Sequence, residues 1–157
     1  MRILPILGLF TLFLPASAQF RSIEIQFDGI GCASCIESLP VRIQRMRGVT
    51  SAKVDPEKQV LKVELAATNR VRVEQVRDAI EQDGTKTTAA SVRLLGNVSQ
   101  SEGKWILAPS GVPATYALSG AIPAKLEPGT YLVTGRIEKL RRDSGPLVII
   151  ASQVTAP

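Results

Sequence analysis

Hydrophobic and polar residues alternate along several short stretches in the first part of the chain. From Arg21 to Asp28 the alternation is strict, with Ile23, Ile25 and Phe27 on one side and polar residues on the other. A period of two is typical of a strand with one buried face. Weaker patterns of the same kind recur downstream. We therefore predict four strands in this part of the chain, at residues 21–28, 49–54, 61–65 and 87–95.

Two further segments space their apolar residues three or four positions apart, which is the pattern of an amphipathic helix. The first ends at Gly48, and the second is closed by Asp83 and Gly84. Pro40 lies inside the first helix and predicts a kink, because proline removes one backbone hydrogen bond. The apolar positions are Ile36, Leu39, Ile43 and Met46 in the first segment, and Val73, Val76 and Ile80 in the second.

The predicted elements follow the order strand, helix, strand, strand, helix, strand. This is the split β-α-β order of a ferredoxin-like α+β domain, in which both helices cover one face of an antiparallel sheet. We assign this domain to residues 19–95.

The rest of the chain has a different pattern, with turn residues at short intervals and apolar stretches between them. Residues 96–103 are mostly polar and are predicted to be a linker. Short, evenly spaced strands are typical of a small all-β domain with a barrel-like or sandwich-like shape. We predict such a domain over residues 104–157, including a long hairpin formed by residues 130–140 and 147–154.

The N-terminal residues have the pattern of a secretory signal peptide. Arg2 supplies a positive charge, residues 3–14 are apolar, and residues 16–18 read Ala-Ser-Ala. This combination is typical of a cleaved export signal. We therefore predict a signal peptide over residues 1–18, no stable membrane anchor after its cleavage, and a periplasmic or secreted protein.

Composition narrows the chemistry that the chain can perform. The 157 residues include 19 Lys and Arg, 14 Asp and Glu, two cysteines and no histidine, giving a net charge of +5. Without histidine the chain can form neither a Ser-His nor a Cys-His nucleophile, and no metal site with imidazole ligands. We expect a protein that is not an enzyme, and the two thiols are the first candidates for its chemistry.

Both cysteines lie between the first strand and the first helix, in the sequence Gly31-Cys32-Ala33-Ser34-Cys35. Free backbone N–H groups and the helix dipole favour a thiolate at the start of a helix. Thiolates select soft or borderline metals, whereas structural zinc takes four protein ligands. Two thiolates without imidazole therefore suit an ion of low coordination number, Cu(I) or Hg(II), at a site that a partner thiol can enter.

The loop from Gly29 to Cys35 resembles the Gly-Met-Thr-Cys-x-x-Cys loop of the heavy-metal-associated domain. That family includes copper chaperones and periplasmic mercury-binding proteins. The resemblance extends to Gly48-Val49, Lys53-Val54 and residues 79–84. It implies a ferredoxin-like fold, Cys32 and Cys35 as the metal ligands, and transfer of the metal to a metal-transporting or metal-accepting protein.

The likeness also bears on which metal is bound. Ile30 stands where the family has methionine, and Gly31 stands where it has threonine. Zinc-transporting relatives often have an acidic residue at the position of Gly31, so its absence favours Cu(I), with Hg(II) and Zn(II) as the other possible ions. Lys86 lies beside the position from which many relatives direct an aromatic or basic side chain toward the metal.

Two other readings of the cysteine pair stay open. Cys32 and Cys35 can form a structural disulfide in an interaction module, because an exported protein meets oxidising conditions. They can also exchange disulfides, because a Cys-x-x-Cys pair at a helix start is the thioredoxin arrangement. No Trp precedes the motif and no Pro lies between the cysteines, which favours metal binding over exchange.

The basic residues raise two questions, the role of the arginines in the first helix and the possibility of a nucleic-acid partner. Arg42, Arg45 and Arg47 are interpreted as a solvated helix face. RNA-recognition modules share the element order but stack bases on exposed aromatic side chains. Since no aromatic residue lies between Phe27 and Trp105, we expect no nucleic-acid partner.

Overall fold

The structure is a computed structural model that describes residues 20–29, 32–109, 111–140 and 142–157. The predicted signal peptide, residues 1–18, lies outside these residues. Within them, no helix has the length and apolar character needed to cross a membrane.

Eight strands and two α-helices make up the described chain. A 3-10 turn at Arg142–Ser144 precedes the last strand. The elements are β1 (Phe20–Asp28), α1 (Ala33–Gln44), β2 (Val49–Asp55), β3 (Val60–Leu65), α2 (Val73–Glu81), β4 (Lys86–Ser101), β5 (Lys104–Ala108), β6 (Tyr116–Gly120), β7 (Gly129–Ile137) and β8 (Val148–Thr155).

The first four strands form an antiparallel sheet in the order β2-β3-β1-β4. Ile23, Ile25 and Phe27 of β1 are buried, as the alternation predicted. Together with the two helices between the strands, this arrangement confirms the predicted ferredoxin-like fold.

The helices bury most of the apolar positions that the sequence predicted, but Ile36 is only partly buried and Met46 lies in the turn after α1. Leu39 and Ile43 of α1 are buried, as are Val76 and Ile80 of α2. Pro40 lies inside α1, yet the helix is continuous from Ala33 to Gln44. Proline at this position removes only one backbone hydrogen bond, and the packed apolar residues on either side hold the helix in place.

Strand β4 differs from the prediction. The sequence predicted a strand at 87–95 and a linker at 96–103, but β4 runs from Lys86 to Ser101. The turn to β5 lies at Glu102 and Gly103, both of which have positive φ. Gly96 and Val98 are buried, so the inward positions continue past residue 95. A Cβ at Gly96 would lie 2.7 Å from Leu107 Cδ1, so glycine allows the neighbouring strand to approach.

The second half of the chain closes a ring of hydrogen-bonded strands in the order β4-β5-β6-β8-β7, with β7 pairing back onto β4. Strands β6 and β8 are parallel, and the other pairs in the ring are antiparallel. The predicted hairpin is confirmed as β7 and β8. Strand β4 belongs both to this ring and to the ferredoxin-like sheet. The division into two domains stays a prediction.

One core joins the two halves. Phe20 of β1 packs edge-on against Tyr116 of β6, with ring centroids 5.8 Å apart. The Tyr116 hydroxyl donates a hydrogen bond to Glu74 Oε2 of α2 at 3.0 Å. Burial, together with the negative charge of Glu74, raises the pKa of Tyr116 far above its ordinary value. The phenol therefore stays neutral and remains a hydrogen-bond donor at the junction.

Candidate metal centre

The two predicted ligands meet at the start of α1. Cys32 is the N-cap of the helix, with extended backbone angles (φ −133°, ψ 136°). Its Sγ accepts a hydrogen bond from the Cys35 backbone N–H at 3.1 Å. An N-cap side chain that accepts from the first turn satisfies one of the free N–H groups of the helix. The sulfur of Cys32 therefore fixes both the helix start and the position of Cys35.

The two sulfurs are joined in a disulfide, with Cα atoms 5.3 Å apart. Both cysteines are partly exposed, so solvent and a partner protein can reach the pair. The sequence left open a disulfide or a dithiol, and the structure has the oxidised form. Their assignment as metal ligands stays a prediction.

Small polar groups surround the pair. The Ser34 Oγ lies 3.4 Å from Cys32 Sγ, and the Ser38 hydroxyl donates to the Cys35 carbonyl at 3.2 Å. Ser34 and Ser38 are exposed. No group of three or more His, Cys, Asp or Glu side chains comes together within the described ranges.

The first residue of β4 lies beside the end of β1, from which the cysteine loop departs. Lys86 is the Cα partner of Asp28, and Lys86 is exposed whereas Thr85 is buried. The register thus brings Lys86 to the same end of the sheet as the cysteines. Gly31, which the sequence linked to the choice of metal, and Ile30, which departs from the family's methionine, lie outside the described residues.

An ion pair joins α1 to the turn that follows α2. Arg42 of α1 donates two hydrogen bonds to Asp83, which follows α2, at 2.7 and 3.2 Å. Arg42 is thus paired at the surface and partly exposed, whereas Arg45 and Arg47 are exposed and fit the interpretation as a solvated helix face. The sequence could not reveal this pair, because its members lie 41 positions apart.

The Asp83 pair gives stability a defined dependence on pH. Hydrogen bonding from Arg42 lowers the pKa of Asp83 below its ordinary 3.8. A lowered folded-state pKa contributes stability above the unfolded-state value, and that stability is lost as the pH falls through the folded-state value. We expect Asp83→Asn to unfold at lower urea concentration than the wild type at neutral pH.

We expect the difference to disappear under acid conditions, where the wild-type carboxyl is also protonated. The Arg42→Gln variant should show the same convergence, and the double variant should add little to either single change. A difference between Asp83→Asn and the wild type that is the same at acid and neutral pH would contradict this account.

A second charged cluster connects α2 with the segment between β7 and β8. Partial burial opposes ionisation of Asp78, but hydrogen bonds from Arg142 and Arg77 outweigh it and lower the pKa of this carboxyl. The nearly buried Arg77 also donates to the Leu140 carbonyl at 3.3 Å. The second half of the chain is thus attached to helix α2.

The first half of the chain is similar to proteins of a known family. A family model described as "Heavy-metal-associated domain" matches residues 24–86. The copper chaperone CopZ of Staphylococcus haemolyticus (strain JCSC1435) is 38% identical over 60 residues, which are 38% of this chain and 87% of that protein.

Several solved structures are also similar to this chain. A CopZ metallochaperone is 29% identical and aligns with 42% of this chain and 97% of its own, at a TM-score of 0.39. The N-terminal domain of a potential copper-translocating P-type ATPase from Bacillus subtilis, in the Cu(I)-loaded state, is 24% identical. It aligns with 43% of this chain and 84% of its own, at a TM-score of 0.39. From the family match and the identity with the Staphylococcus protein, this chain belongs to the heavy-metal-associated domain family.

Proposed function

We propose that this protein, in its reduced form, binds one Cu(I) ion through Cys32 and Cys35. It then transfers the ion to a metal-transporting or metal-accepting protein, or sequesters it. The observation that carries the proposal is the position of the two sulfurs: they lie together at an accessible helix start in a heavy-metal-associated domain. Because residues 1–18 have the pattern of a signal peptide, we propose that the protein acts in the periplasm or outside the cell.

The ligand chemistry supports Cu(I) over zinc. The chain contains two cysteines and no histidine. Thiolates bind Cu(I) strongly, and a structural zinc site requires four protein ligands. A Staphylococcus relative is described as a copper chaperone, which agrees with this choice. Hg(II) shares the preference for two thiolates and is the competing ion in the test below.

The accessibility of the site supports transfer. Cys32 and Cys35 are partly exposed, and their neighbours Ala33 and Ser34 are exposed. A partner thiolate can therefore approach the metal while both protein ligands remain bound. Exchange from the reduced, metal-loaded protein through a mixed-ligand intermediate avoids release of free Cu(I).

The proposal is tested by anaerobic titration of the fully reduced protein with Cu(I), in competition with a chelator of known affinity. We expect one Cu(I) per chain in the wild type and none in the Cys32→Ser/Cys35→Ser variant. Hg(II) and Zn(II) are titrated in the same way, and Zn(II) should not displace Cu(I). A matched Ser34→Ala/Ser38→Ala variant should keep its stoichiometry. Metal retained by the cysteine-free variant would contradict the assignment.

The disulfide favours a second candidate, a periplasmic thiol–disulfide oxidoreductase. In that case Cys32 and Cys35 would exchange their disulfide with the dithiol of a substrate protein. The Cys35→Ser variant would then accumulate a mixed disulfide through Cys32, and the wild type would catalyse the reduction of insulin by dithiothreitol. Cu(I) binding without either behaviour favours the metal-transfer proposal.

A further inference from the structure

A cleft of about 800 Å³ opens at the end of α1 away from the cysteines. Helix α1 has 12 residues, which corresponds to about 18 Å at 1.5 Å per residue, so the cleft and the metal site are well separated. Its walls come from the turn after α1 and from the segment leading into α2. The residues lining it are Met46, Arg47, Gly48, Thr68, Arg70, Val71 and Gln75.

The charged residues that line the cleft are all basic. Arg47 and Arg70 are exposed and make no ion pair with any described residue. None of the residues that line the cleft is acidic. The nearest carboxylate along α2, Glu74, accepts a hydrogen bond from Tyr116 instead. Two arginines that line one cleft and pair with no described carboxylate make the cleft suited to an anion.

The two walls are fixed relative to each other. The Ala66 backbone N–H donates to the Gly48 carbonyl at 2.9 Å. Asn69 is 2% exposed and its amide donates to the carbonyls of Phe20 and Ala66 at 2.7 and 2.6 Å. A Cβ at Gly48 would lie 2.6 Å from Asn69 Cβ, so the turns are in close contact. This rigidity keeps Arg47 and Arg70 on the same cleft without a ligand.

The cleft also has an apolar part of its lining, against which an apolar group of a ligand can pack. Met46 is partly buried against the core, and Val71 is 3% exposed. Thr68 and Gln75 supply neutral polar groups at the rim. Small-molecule sites of about 300–1,000 Å³ typically combine an apolar lining with a few polar groups that orient the ligand. The cleft therefore suits an anion that carries an apolar group.

We propose that this cleft binds a phosphate monoester with an apolar substituent, held by Arg47 and Arg70. Guanidinium groups bind phosphate oxygens through paired, charge-assisted hydrogen bonds. The apolar substituent lies against Met46 and Val71. The same chemistry is offered by a soluble phosphate ester and by the headgroup of phosphatidic acid at a membrane surface.

The test uses the full chain and phenyl phosphate, with amide chemical shifts measured by NMR. We expect shifts confined to residues 46–48 and 68–75, with a dissociation constant of about 1 mM or lower. Inorganic phosphate should bind more weakly, because it has no apolar group. Arg47→Gln and Arg70→Gln should each weaken binding about ten- to a hundredfold.

Arg45→Gln is the matched control. Arg45 is exposed at the same end of α1 and has the same charge, but it does not line the cleft. This variant, and the cysteine-free variant, should bind phenyl phosphate like the wild type. A parallel assay with phosphatidic acid vesicles identifies the source of the phosphate, and binding there must also depend on Arg47 and Arg70. Absence of binding in both assays, or equal loss in Arg45→Gln, would overturn the proposal.

Discussion

The protein with the Cys32–Cys35 disulfide closed is expected to bind no Cu(I), and reduction is expected to restore one Cu(I) per chain. A cysteine binds Cu(I) as the thiolate anion. The sulfurs of a disulfide are bonded to each other, so neither of them is a thiolate. The structure shows the oxidised pair, in which neither sulfur is free. If the proposal holds, metal can be loaded only after a thiol donor has reduced the disulfide by two electrons and has itself become oxidised.

The measurement begins with two samples of one preparation, one oxidised with diamide and one reduced with dithiothreitol, both desalted anaerobically. Thiol counting should give zero and two thiols per chain. Titration with Cu(I) against a chromophoric chelator should then show competition only in the reduced sample. The Cys32→Ser/Cys35→Ser variant, treated in the same way, should compete in neither.

The reduced and oxidised forms should share one fold. Cys32 remains the N-cap of α1 in either state, because its sulfur accepts the Cys35 N–H within the local helix start. Far-ultraviolet circular dichroism should therefore change little on reduction. Equal Cu(I) affinity before and after reduction would show that the metal binds elsewhere, and loss of helix on reduction would show that the disulfide has a structural role.

The first half of the fold could be predicted because each element has a local signal. Ile23, Ile25 and Phe27 alternate with polar residues, and the helix faces repeat every three or four positions. The loop between β1 and α1 carries both cysteines, so the candidate site could also be located. These features depend on the periodicity of side chains along one element.

The length of β4 could not be predicted, because it depends on pairing with strands that are distant in sequence. Residues 96–101 contain Asn, Ser and Gln, which are typical of linkers, and the inward positions past residue 95 are only Gly96 and Val98. What keeps the strand extended is pairing with β5 and β7. The same holds for Arg42 with Asp83 and for Tyr116 with Glu74, whose members are distant in sequence.

Because β4 belongs to both halves of the chain, cutting it should strongly lower stability. A fragment of residues 19–95, cut at the boundary that the sequence predicted, is expected to lose cooperative unfolding. The cut ends β4 midway and removes β7, which pairs with β4 from Ala90 to Val98. It also removes Tyr116 from Phe20, and both Phe20 and Leu94 are fully buried in the whole protein.

The loss of unfolding free energy depends on how many core side chains the cut exposes. Truncating one large core side chain costs about 2–5 kcal/mol, and a domain has only about 5–15 kcal/mol of total stability. Uncovering several such side chains therefore removes most or all of the stability of the fragment. Urea unfolding followed by circular dichroism should give a broad transition or none, whereas the whole protein should give a single sharp one.

Two variants of the whole protein separate packing from polar contact at the junction. Tyr116→Phe keeps the ring against Phe20 and loses the hydrogen bond to Glu74, so it should cost about 1 kcal/mol. Tyr116→Ala removes the ring as well and should cost about 3–5 kcal/mol. If the fragment instead unfolds cooperatively at the midpoint of the whole protein, the first half is independently stable. The shared strand would then be a connection between two domains and not a common core.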